Sequence, residues 1–179
     1  MISATFSTRC LGQYGTRNEP LPLTKLTIRS SNITLIESGA FLNFAELQLI
    51  DLSNNQLTHL SRQVFAQKIY KIRFIYLQNN RITQLSSDFF EGLPQLRSVN
   101  LAGNLLTILP YIPTGTGIPQ NIFLEGNLWD CRCKMDWIIL EKLIEGNQRY
   151  FDEPQCTSPE QVKDFPLFDG LRFVYETFC

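Results

Sequence analysis

The chain has 179 residues, 44% hydrophobic and 18% charged, the composition of one folded unit and not of a disordered or membrane-embedded chain. Its 16 basic and 17 acidic residues give a net charge of −1 with no basic run, so nothing draws it electrostatically to nucleic acid or anionic lipid. A single histidine, His59, removes two-imidazole metal sites and most histidine acid–base chemistry, so the expectation is a protein without catalytic residues, metal or cofactor.

At the start, Met1 to Cys10 lacks the basic region and apolar core of a secretory signal as it stands. Ile2 to Phe6 alternates like a strand, and Cys10 stands alone before Pro20-Leu-Pro22. An activated thiol needs histidine or a basic pocket, and only Arg9 and Arg17 are near, so Cys10 is not read as a nucleophile.

A repeat then governs the chain. The pattern L-x-x-L-x-L-x-x-N-x-L lies on Leu47, Ile50, Leu52, Asn55 and Leu57, on Ile72, Ile75, Leu77, Asn80 and Ile82, and on Leu96, Val99, Leu101, Asn104 and Leu106. A weaker copy precedes at Leu23, Leu26, Ile28, Ser31 and Ile33, and another follows at Pro119, Ile122, Leu124, Asn127 and Trp129. First places at 23, 47, 72, 96 and 119 are spaced by 24, 25, 24 and 23 residues. Phe41, Phe65 and Phe90 also fall in register and read as a stacked spine. These copies, over roughly residues 23 to 129, resemble the leucine-rich repeat. In each copy a short strand points its leucine-type side chains inward, and the asparagine satisfies backbone groups left unpaired where the chain turns away.

Within the repeats, Asn32-Ile33-Thr34 is an N-glycosylation acceptor triplet at Asn32. The uncharged stretch from Ser98 to Leu124 cannot span a bilayer, because Pro110, Pro113, Pro119, Gly115 and Gly117 interrupt it. Gly115-Thr-Gly117 is too short for a phosphate loop and lacks its lysine.

After the last copy come Cys131, Cys133, Cys156 and Cys179, in the setting Asn127-Leu-Trp-Asp-Cys-Arg-Cys. The C-x-C spacing without a second close pair is poor for a four-thiolate zinc site, and four cysteines by themselves allow three disulfide connectivities. The segment resembles the cysteine-flanked C-terminal cap of extracellular leucine-rich-repeat proteins of the Slit, Toll-like and variable lymphocyte receptor type, with Leu128 where that family usually has proline. The resemblance implies bonds from Cys131 to Cys156 and from Cys133 to Cys179. Between them, Trp137, Leu140, Leu143 and Ile144 recur at helical spacing up to Gly146.

Taken together, the resemblance implies an α/β solenoid, a leucine-rich-repeat horseshoe with short parallel concave strands and a disulfide-bonded C-terminal cap. Its expected parts are a partial N-terminal cap over 1–22, repeats over 23–126 and the cysteine-rich cap over 127–179. Disulfides place such a chain in the extracellular space, secreted or at a cell surface. The outward strand places put Leu49, Phe74 and Tyr76 together on the concave face, with Phe123 farther along and Arg73 and Arg97 beside them. Exposed aromatics flanked by arginine are typical of interface hot spots, so these residues are the expected site for a protein partner. The family resemblance implies a recognition module of a cell-surface receptor, adhesion or guidance protein. The alternative is a secreted matrix protein of the small proteoglycan kind.

Overall fold

The computed structural model describes residues 4–6, 22–65, 70–112, 119–135, 138 and 154–179, with 4–6 and Cys133 described by their backbone alone. Cys10, the segment 115–117 and, apart from Ile138, the helix expected over 137–144 lie outside these residues.

In chain order the strands are β1 (Ala4–Phe6), β2 (Lys25–Thr27), β3 (Ile33–Ile36), β4 (Leu49–Asp51), β5 (His59–Leu60) and β6 (Phe74–Tyr76). They continue as β7 (Gln84–Leu85), β8 (Ser98–Asn100), β9 (Asn121–Phe123), β10 (Trp129–Asp130) and β11 (Cys156–Ser158), before a terminal helix, Leu167–Phe178. One strand from each repeat builds a five-stranded sheet in the order β2-β4-β6-β8-β9. Every pair in it is parallel, and residues at the same place of successive repeats lie opposite each other: Leu49 beside Phe74, Phe74 beside Ser98, Ser98 beside Asn121. The chain therefore coils as a solenoid, each turn returning its strand one place along the sheet.

Period-two alternation decides which side is the core. Ile50, Leu52, Ile75, Leu77, Val99, Leu101, Ile122 and Leu124 point inward and are buried, each stabilising the coil by about 1.5–3 kcal/mol relative to exposure. The return halves close the other side with Leu57, Leu60, Ile82, Leu85, Leu106 and Leu109, also buried. They carry small parallel ladders, β1 with β3 and β5 with β7, and a 3-10 turn at Arg62–Val64. The terminal helix is amphipathic, burying Leu167, Leu171 and Val174 in the cap.

The aromatic spine differs from the sequence reading by one residue. Its rings run Phe41, Phe65 and Phe89, with centroids 5.8 Å apart at both steps, and Phe90 packs edge-on against Phe89 at 5.1 Å. Both adjacent phenylalanines are buried at this turn, so the pattern of apolar places could not choose which one continues the stack.

The repeats are locked by the ninth-place asparagines. Asn80 donates from Nδ2 to Leu52 O of the preceding repeat (3.0 Å) and to Leu77 O of its own (2.9 Å). Its Oδ1 accepts from Leu57 N at 3.1 Å. Asn104 and Asn127 repeat this pattern one and two turns on. Asn55 does the same for the first repeat, where its Oδ1 accepts from both Ser31 N and Ile33 N. The place before each of these adopts a left-handed backbone, with φ of 56° at Asn54, 57° at Asn79, 65° at Gly103 and 67° at Gly126, as does Ser30 (50°) before Ser31, which holds the ninth place of the first copy. Asparagine tolerates that conformation and glycine adopts it freely. At Gly103 a Cβ would also lie 2.6 Å from Asn79 Oδ1, so any larger residue there would have to displace that side chain.

Candidate functional site: the concave face

Two columns of side chains project from the sheet. The first holds Lys25, Leu49, Phe74, Ser98 and Asn121; the second holds Thr27, Asp51, Tyr76, Asn100 and Phe123. Leu49, Phe74, Tyr76 and Phe123 are half-buried, with part of each open to solvent. Phe74 and Tyr76 form a tilted pair with ring centroids 6.4 Å apart. Arg73 and Arg97 precede Phe74 and Ser98 at the edge of the face, half-buried and exposed respectively. Phe123 is set off from Tyr76 by Asn100, whose Oδ1 accepts from Ala102 N at 3.0 Å.

Asp51 differs from the open position its column gives it. It is fully buried, its Oδ1 accepting from Ser53 N (3.1 Å) and Ser53 Oγ (2.7 Å), and its Oδ2 bound by Arg29 through Nη2 and, at 2.6 Å, Nε. Burial disfavours the Asp51 charge, but the Arg29 guanidinium and the Ser53 donors outweigh it and hold the carboxyl below its ordinary value of 3.8. The signal for this pair is visible only in register: Arg29 lies two places beyond the column of Asp51, one repeat earlier. Nearby, the Oε1 of Gln78 is buried with no hydrogen-bond partner among the described residues.

The cap covers the last turn. Trp129 is fully buried and donates from Nε1 to Leu124 O at 3.0 Å. β10 pairs in parallel with β11, and a disulfide joins Cys131 to Cys156 with Cα atoms 5.8 Å apart. Cys179 is also disulfide-bonded. Its expected partner, Cys133, lies outside the described side chains. Asp130 accepts from Arg132 and from Ser158 Oγ at 2.9 Å, and the Arg132 bond, against the cost of burial, holds its carboxyl low. A Cβ on Gly170 would fall 2.4 Å from Cys156 Sγ, so the helix approaches the disulfide through glycine.

Elsewhere, Asn32 is exposed, its Oδ1 accepting from Gln56 Nε2 at 3.2 Å. His59 is exposed, with Nδ1 2.8 Å from Thr58 Oγ1. Among the described residues no group of three His, Cys, Asp or Glu side chains is placed to hold a metal ion, and no helix is long and apolar enough to cross a membrane.

The family model of the leucine rich repeat matches residues 22–67 and 71–111. Trophoblast glycoprotein of Macaca fascicularis is 30% identical over 133 residues, 69% of this chain and 30% of that protein. Tsukushi of Gallus gallus is 29% identical over 151 residues, 83% of this chain and 40% of that protein. The high affinity nerve growth factor receptor of Gallus gallus is 33% identical over 85 residues, 47% of this chain and 11% of that protein. The chain thus spans well under half the length of each of these relatives.

With its registered repeats, parallel solenoid and capped end, this chain belongs to the leucine-rich-repeat proteins. It is an extracellular member, secreted or at a cell surface, in keeping with its disulfide-bonded cap and its relatives.

Proposed function

We propose that the chain binds a protein partner through its concave face and serves as the recognition segment of a cell-surface receptor, adhesion or guidance protein, without catalysis. The observation that carries this reading is the Phe74–Tyr76 pair, two aromatic rings left part-open on a sheet whose other side is a closed core. Leu49 extends that apolar ground, Arg73 and Arg97 edge it, and Phe123 stands beyond Asn100. Aromatic and arginine side chains supply a disproportionate share of interface energy. The relative named as a receptor for a protein growth factor supports the receptor form of the reading.

The test is a screen of the purified chain against arrayed secreted and cell-surface ectodomains and matrix components. Phe74→Ala with Tyr76→Ala is expected to weaken binding of a recovered protein partner by about tenfold or more, since truncating a hot spot costs at least ~2 kcal/mol. The melting temperature should hardly change. A variant that fails to fold, or that binds as before, refutes the assignment. Binding confined to matrix components favours the small-proteoglycan alternative.

On the same reading Asn32 carries an N-linked glycan, since the asparagine of its acceptor triplet is exposed on the flank of the first repeat and away from the concave columns. Material secreted from animal cells should lose mass on peptide N-glycosidase treatment, and an Asn32→Gln variant should show no such loss.

A further inference from the structure

We propose that the concave face selects its partner by an acidic side chain, held between the guanidinium groups of Arg73 and Arg97 while a neighbouring apolar side chain of the same extended segment rests on Phe74 and Tyr76. This rests on the recognition role of the face argued above and adds the chemistry of what it recognises.

Arg73 and Arg97 hold the same place in successive repeats. Both Arg97 N and Ser98 N donate to Arg73 O, at 2.8 and 3.0 Å, so the two arginines are direct neighbours on strands about 4.8 Å apart. Like charges at adjacent places of a sheet repel and destabilise it. Two cations of this fold are answered by an opposite charge from the adjoining turn: Arg29 binds Asp51, and Lys71 binds Glu46 at 2.6 Å. Arg73 and Arg97 are not. Among the described residues neither guanidinium is ion-paired to a carboxylate, and the bond from Arg73 Nε to Gln95 Oε1 is long, at 3.4 Å. A local rule broken without internal compensation marks a place where an external group completes the arrangement.

The complement is a carboxylate. Guanidinium groups are planar forks of donors that match its two oxygens, and two of them side by side offer more N–H groups than one carboxylate can accept. The ground next to them fits an apolar companion. Ser98 and Asn100, directly beside Phe74 and Tyr76 in the register, are small, so on that side the rings meet no bulky neighbour before Phe123. An extended segment with an aspartate or glutamate near a leucine or aromatic residue meets both features.

The probe is a random-peptide library displayed on phage and panned on the intact chain. Recovered peptides are expected to be enriched in acidic residues next to apolar ones. The strongest of them should bind at least about tenfold more weakly to an Arg73→Gln, Arg97→Gln variant, the scale of losing a charge-assisted contact. Its amide counterpart, with asparagine and glutamine replacing aspartate and glutamate, should lose as much on the native chain. Since removing adjacent like charges relieves repulsion, the double variant should melt no lower than the native chain.

Peptides that keep their affinity for the arginine variant but lose it with Phe74→Ala and Tyr76→Ala overturn this proposal and leave the face as the binding site. Peptides indifferent to both pairs overturn both readings. Recovery of no arginine-dependent peptide also overturns the proposal, and an arginine-dependent retention of heparin oligosaccharide in that case assigns the pair to a sulfated polysaccharide.

Discussion

Asn80 joins two turns of the coil with one amide, donating to Leu52 O and Leu77 O, which Asn55 and Asn104 also reach, and giving the buried Leu57 N–H its partner. Asn80→Ala leaves the buried Leu57 N–H without a partner and takes one of two donors from each carbonyl, so a loss of about 1–3 kcal/mol is expected, visible as a lower denaturant midpoint at an unchanged slope. Asp51 makes a prediction of a different kind. Its folded-state pKa lies below its ordinary value of 3.8, so its contribution is fully present above that value and disappears as pH falls through the folded one. Asp51→Asn should therefore melt below the native chain at neutral pH, and the gap between the two should close as the solution is acidified below about pH 4. A gap that stays constant across that range rules out the Arg29 pair as its source.

At the level of strands and turns, the sequence is most informative where one rule repeats. Alternation of apolar places in five copies fixes the register of β2, β4, β6, β8 and β9, and with it the neighbours of Phe74 and Tyr76, because a parallel sheet built from equal turns places like beside like. What the sequence hides depends on choices between equals. Phe89 and Phe90 are both apolar at one turn, so chain packing alone decides which ring continues the spine. Asp51 stands at an outward place yet is buried, since a short carboxylate can fold onto Ser53 and be reached by a long arginine from the turn before. Periodicity reports where a Cβ points; it does not report where a flexible charged side chain ends.

For the molecule as a whole, stability is distributed along the coil, because each turn touches only its neighbours. The cap disulfide closes a loop of 25 residues, worth about 3 to 4 kcal/mol in the chain-entropy model. A Cys131→Ala, Cys156→Ala variant should lose stability on that scale, and the loss should be uneven. Amide hydrogen exchange is expected to quicken first in β10 and β9, next to the cap, while β4 and β6 keep their protection. Uniform acceleration along the sheet would mean that the coil unfolds as one block. The asparagine ladder carries a consequence for how such a chain changes over generations. Each repeat supplies its own amide and finds acceptor and donor groups on the turn before it, so a duplicated unit arrives already equipped to dock at either side of its insertion point. The concave face can thus gain or lose a whole row of side chains in one genetic event, with the seams intact, and the reach of the binding surface can evolve separately from the scaffold that holds it.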